Sequence, residues 1–185
     1  MKNLIFLLFL TFFIACGSSQ SSNGAVKPSS EETATTQTPE TKDPLKYVEL
    51  ISPDNQTIRS SIASNTAEQK KGLQGVQESQ FAEDEGKLFF YLKESARTFW
   101  MPNTYFNLDL IYFDQNMKIT NIVWNLLHYT GSVDSQIPRA PTITSRHVLE
   151  MKAGSPISST LKIGDSLQWR SPITLQQTEL KIRQQ

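Results

Sequence analysis

The sequence has few of the residues on which most site chemistry depends. It holds one cysteine, Cys16, and two histidines, His128 and His147, in 185 residues. One thiol excludes an internal disulfide and any thiolate-rich zinc site, and the two histidines are too far apart for the HExxH spacing of a zinc protease. Neither GxSxG nor a phosphate-cradling glycine loop is present, which removes the serine-hydrolase elbow and the nucleotide-binding P-loop. An excess of one charge is missing too. The whole chain has 18 Lys plus Arg against 18 Asp plus Glu, and the segment from Leu45 onward has 15 against 14 with no basic stripe. That balance excludes the electrostatic footprint of nucleic-acid binding. No metal, no cofactor and no catalytic activity are expected from this inventory.

The longest apolar run is short. Leu4 to Ala15 is interrupted only by Thr11, and about 12 apolar residues cannot span the roughly 30 Å of a bilayer core as a helix. With Lys2 ahead of the run and the small residue Ala15 at its end, residues 1–15 have the layout of a secretory signal peptide. FFIACGSSQ (12–20) then places Cys16 where a bacterial lipobox has its lipid-bearing cysteine. Ile14, Ala15 and Cys16 resemble the end of that box, and Phe13 stands where leucine is commonest. The resemblance implies a diacylglyceryl thioether on Cys16, an acylated amino group such as a palmitoyl amide, and stable anchoring by several chains. Gly17 follows in place of a retaining aspartate, so the implied destination is the outer membrane where one exists. Residues 16–44 carry no aromatic side chain and little apolar surface beyond Val26 and the alanines. They form the expected tether, lipid-anchored and disordered.

From Leu45 the composition changes, and residues 45–170 are the size of one domain. LKYVELI (45–51) and TIRSSIA (57–63) flank a Ser-Pro-Asp-Asn turn and suggest a hairpin; DLIYFD (109–114) and KITNIVW (118–124) suggest another. KLFFYL (87–92), TFWM (98–101), RHVLEM (146–151) and SLQWR (166–170) are further strand candidates. Thr66 with Gln69 matches a capping box, with Gly72 as a helix stop, and Pro156 stands at the first position of a second short helix. Many strands and no βαβ rhythm predict a mainly β fold: a single antiparallel β-sandwich or barrel-like domain with one or two short helices. Residues 171–185 form a C-terminal extension in which Ile173, Leu175, Leu180 and Ile182 suggest edge strands.

A family resemblance is carried by Gly72-Leu73, Gly86-Lys87-Leu88-Phe89, Phe99-Trp100-Met101-Pro102-Asn103-Thr104, Leu108-Asp109, Val148-Leu149-Glu150 with Ala153-Gly154, and Gly164-Asp165. In order and spacing these resemble the domain of unknown function 192, whose FWMKNT motif is similar to FWMPNT here. The resemblance covers residues 57–169 and implies a small, mostly β, often exported domain with no assigned activity. Pro102 stands in place of that motif's lysine, Gln74-Gly75-Val76 in place of methionine and then arginine, and Asn107 in place of proline. Two cations of the family pattern are therefore absent.

The candidate binding or structural polar network is Trp100, Asn103, Thr104, Asp109 and Glu150. Asp109 lies in an apolar run, where a carboxylate needs donors or a cation; Asn103, Thr104, Arg97, Arg139 and Arg146 are the candidates to supply them. It is either a carboxylate poised beside Trp100 or part of a structural network. Trp100 is either a stacking platform for a ligand or a core residue. Period-two alternation puts Glu150 on the face of Val148, which favours its burial. The expected function is a non-catalytic binding or scaffold module of the cell envelope, partnered by the membrane through Cys16 and by an envelope ligand or protein. The alternative is a hydrolase-like enzyme acting on an envelope glycan or related substrate through Asp109 and Glu150, which requires the two carboxyls to face one groove.

Overall fold

The computed structural model describes residues 42–185. The signal-like run, Cys16 and nearly all of the expected tether therefore lie outside the described residues. Seven strands form one open sheet: β1 (Tyr47–Ile51), β2 (Thr57–Ala63), β3 (Glu85–Arg97), β4 (Leu108–Phe113), β5 (Ile119–Leu126), β6 (Ile143–Lys152) and β7 (Gln168–Arg170). Their spatial order is β5-β4-β6-β3-β2-β1-β7. The fold is mainly β and mostly antiparallel, as the strand patterns imply.

Both expected hairpins form, as β1 with β2 and β4 with β5. Pairing is antiparallel throughout except between β2 and β3, which run parallel. Parallel neighbours need a crossover, and the segment between them supplies one that contains α1 (Thr66–Lys71). This parallel β2–α1–β3 unit departs from the expected absence of any βαβ rhythm. The cap of α1 also differs: Asn65 is the N-cap, its side chain accepting from the Glu68 amide, while Glu68 Oε2 accepts from the Ser64 amide, so the box expected at Thr66 does not form.

Three other elements differ from expectation. TFWM is not a strand; β3 continues through the polar stretch to Arg97, and Trp100 makes only an isolated bridge to Arg139. At Pro156 the chain forms a turn leading into a 3-10 segment, Ser158–Thr160, in place of an α-helix. Residues 171–185 contain α2 (Leu175–Arg183) and no edge strand. Thr174 and Gln177 form a reciprocal capping box there, and Leu175, Thr178 and Ile182 recur at helical spacing, which decides between the two readings.

Side chains alternate between the two faces of the sheet, and each face has its own apolar cluster. Leu88, Phe90, Ile111, Phe113, Leu149 and Met151 point one way, where Ile157, Leu161, Leu167 and Ile182 cover them. Phe89, Leu110, Tyr112 and Val148 point the other way, against Leu73, Phe81, Phe99 and Met101. We call these the Phe90 face and the Phe89 face. Helix α2 seals the former through Ile182, helped by the Arg146–Glu179 ion pair at 2.7 Å. The α1 crossover packs on the latter, with Gln69 Nε2 donating to the carbonyls of Ala63 and Phe90.

Candidate functional site

Asp109 and Glu150 lie on opposite faces. The register pairs Asp109 with Met151 and Leu110 with Glu150, and directly paired residues share a face. Asp109 therefore points into the Phe90 face and Glu150 into the Phe89 face. They do not share a groove, so the geometry lends no support to the two-carboxylate hydrolase.

Asp109 is fully engaged by backbone and hydroxyl donors. Its Oδ1 accepts from the Asn125 amide at 2.8 Å, and its Oδ2 accepts from the Gly154 amide at 2.9 Å and the Ser158 hydroxyl at 2.8 Å. None of the donors expected from sequence is used. Arg146 is paired with Glu179, Arg97 lies 3.3 Å above the Tyr91 ring centroid, and Arg139 sits over Trp100. The carboxylate ties β4 to the β5 end and to the turn after β6, which is a structural task.

The FWMPNT loop is pinned at both ends. Thr104, buried, exchanges backbone hydrogen bonds with Tyr129, and its hydroxyl donates to the Pro102 carbonyl. Asn103 takes a left-handed backbone at φ 48°, and its carbonyl accepts from the Gly75 amide at 2.9 Å. Asn103 thus joins the loop to the α1–β3 crossover. Trp100 is 40% exposed, with the Arg139 guanidinium 5.0 Å from its ring centroid.

Beneath that loop lies a narrow pocket of about 40 Å³, lined by Trp100, Thr104, Leu73, Phe99 and Glu150. Three of the five candidate residues meet here. Glu150 is buried, and its Oε2 has no hydrogen-bond partner. Burial pushes its carboxyl up to about 8, against the pull of Lys87, because a charged carboxylate there has lost its water. Tyr112, on the same face and also without a partner for its hydroxyl, is raised by burial and by the Glu150 charge. Gly72 makes room for this arrangement: its φ is +48°, and a Cβ would come 3.2 Å from the Phe89 ring and 3.7 Å from Glu150 Oε2.

A much larger cleft, about 800 Å³, opens on the Phe89 face beside the pocket. The two share the Lys71-Gly72-Leu73 corner at the end of α1. Strands β7, β1, β2 and β3 form its floor, and Leu73, Val76 and Phe81 contribute apolar wall. Two registered rows of side chains cross that floor. One runs Glu85, Arg59, Glu49, Arg170 with alternating sign. The other runs Glu150, Lys87, Ser61, Tyr47. Sequence reasoning missed Lys71 and Lys87 as site residues. The available signal was Lys87 itself, a charge two positions from Phe89 in a strand pattern and so on the same face.

His147 belongs to neither cavity. Its ring stacks on Phe90 with centroids 4.3 Å apart, and its Nδ1 accepts from the Tyr91 amide at 3.3 Å. Burial, then the Arg146 and Arg97 charges, lower it to about 3, so it is a neutral core residue near neutral pH. Among the described residues no cluster of three His, Cys, Asp or Glu is placed to hold a metal, and no helix is long and apolar enough to cross a membrane.

Fold and cavities together define a small, mainly β domain with a ligand-sized cleft on one face of an open sheet. The chain belongs to the DUF192 family, described as an uncharacterized ACR, whose profile matches residues 48–169. Two solved structures share the fold. A proposed transcription regulator from Sinorhizobium meliloti 1021 is 26% identical with a TM-score of 0.54, over 66% of this chain and 92% of that one. A protein of unknown function from Novosphingobium aromaticivorans DSM 12444 is 29% identical with a TM-score of 0.54, over 66% of this chain and 84% of that one. No curated protein matches the chain. Helix α2 lies beyond the matched segment.

Proposed function

We propose that the protein is a cell-envelope lipoprotein, anchored through Cys16 and directed to the outer membrane where one exists, whose domain is a non-catalytic binding module. The observation that carries the binding role is the 800 Å³ cleft on the Phe89 face, a volume within the usual range of small-molecule sites. The anchoring rests on the Ile14-Ala15-Cys16 layout after a short apolar run. The regulator description of the Sinorhizobium protein is not carried over, because charges from Leu45 onward nearly balance, at 15 basic against 14 acidic, and nucleic-acid binders present a basic surface.

A fragment screen by saturation-transfer NMR on the full chain tests the binding role, with Ser61→Trp as a plugged control. Hits lost on plugging are expected; equal hits with both forms would remove the cleft as the site. For the anchor, mass spectrometry of the mature N-terminus should find an acylated Cys16, and Cys16→Ser should leave uncleaved or soluble protein. An unmodified amino terminus would end that part of the reading.

A further inference from the structure

The charges around the cleft do not cancel. Arg170 Nε is held 2.7 Å from Glu49 Oε2, and Arg59 reaches Asp84 at 2.7 Å. Glu85 spends an oxygen on the Ala82 amide at 3.1 Å. Both acidic residues of the lining are therefore committed, and so are both arginines. Three lysines of the lining make no ion pair among the described residues: Lys42, whose Nζ lies 4.9 Å from the Tyr47 ring centroid, Lys71 and Lys87. Lys71 has a local reason to be there, since a cation in the last turn of α1 complements the helix end.

Lys87 has none. It sits half-buried on the cleft floor, and its cross-strand neighbours are Ser61 and Glu150. Glu150 lies further than ion-pair distance, and burial pushes its carboxyl up, which weakens it as a counter-charge to the ammonium. A half-buried cation without a counter-charge is costly, and burial lowers the Lys87 pKa accordingly. An incoming anion would remove that cost. The apolar residues Leu73, Val76 and Phe81 stand across the same cleft, so the anion needs an apolar body.

We infer that the cleft takes a small amphipathic organic acid, its carboxylate seated between Lys87 and Lys71 and its apolar body against Leu73, Val76 and Phe81. This rests on the binding role proposed above and names the class of ligand. A free acid is the occupant chosen, because a cleft of about 800 Å³ encloses a drug-sized molecule.

Calorimetric titration of the full chain with octanoate and with its uncharged isostere octanamide tests the inference, with the heats of matched detergent subtracted. Octanoate is expected to bind at least tenfold more tightly than octanamide. Lys87→Met, which keeps the apolar stem, should bring octanoate to the octanamide level without changing octanamide binding. A thermal melt no lower than that of wild type checks that the variant is folded. Lys71→Met should have the smaller effect of the two. Equal binding of both compounds by wild type would overturn the acid class and leave the cleft as a binding site. So would an equal loss of both in Lys87→Met. Binding of neither compound would overturn the acid inference, while the fragment screen separately decides the binding role.

Discussion

The Phe90 and Phe89 faces each bury a carboxylate, and they treat it in opposite ways. On the Phe90 face Asp109 receives three donors, one of them the Ser158 hydroxyl from the Ser158–Thr160 segment. On the Phe89 face Glu150 has an unpartnered oxygen, an opposed but unpaired Lys87, and the narrow pocket beside it. A buried carboxylate with its donors supplied holds structure together; one without them lowers stability and is retained where something else requires it. The contrast assigns the closed face to stability and supports the binding role proposed for the open face.

The contrast breaks most readily at the seal of the Phe90 face. Ile182→Ala removes a buried side chain of α2 from that cluster and should cost about 2–5 kcal/mol, measured by urea unfolding at constant m-value. A cost below that range would show that α2 is only loosely applied.

A second measurement concerns pH. Glu150, raised to about 8 in the fold from an ordinary value of 4.5, binds its proton more tightly folded than unfolded. Its contribution therefore falls as pH rises from about 4.5 to about 8, then levels off. His147, lowered to about 3 from 6.5, works the other way, adding stability as pH rises from about 3 to about 6.5. The two oppose each other between about 4.5 and 6.5, and above that Glu150 alone pulls stability down. Glu150→Gln should abolish the decline between pH 6.5 and 8, which is on the order of 2 kcal/mol. An unchanged slope in thermal melts across that window would show that Glu150 is ionised in the fold.

Asp109→Asn tests the other carboxylate. Replacing one acceptor oxygen by an amide leaves buried donors without a partner and should destabilise by about 1–3 kcal/mol, again by urea unfolding. A variant as stable as wild type would remove the structural assignment. The smallest effect belongs to Lys87→Met, which should raise stability by no more than about 1 kcal/mol, because a half-buried unpaired cation is removed and no ion pair is lost.

Much of this arrangement was legible in the residues. The Asp114-Gln115-Asn116-Met117 turn between DLIYFD and KITNIVW marks the β4–β5 hairpin, and Val148-Leu149-Glu150 places Glu150 inward on the Val148 side. Asp109 was legible as a buried carboxylate, but not its partners: the Gly154 amide is 45 positions away and the Ser158 hydroxyl 49. Side-chain donors such as Arg97 are visible in a sequence, whereas two of the three actual donors are backbone amides that every residue but proline carries. At the C-terminus Ile173, Leu175, Leu180 and Ile182 fit both a strand and a helix period over so short a stretch, and the Thr174–Gln177 capping box decides for the helix.

By itself the sequence determined the mainly β class, the hairpins, the short α1 helix and the family, because these follow from local alternation, turn residues and motif spacing. It also carries the lipobox-like layout at Cys16. Only the tertiary structure decided that Asp109 and Glu150 face apart, that β2 and β3 run parallel, and that Lys87 stands unpaired on the floor of a cleft. Those properties depend on which strands become neighbours and in what register. Shifting a pairing by one residue exchanges the two faces of a strand, so the faces that define the site are fixed by long-range pairing and not by local pattern.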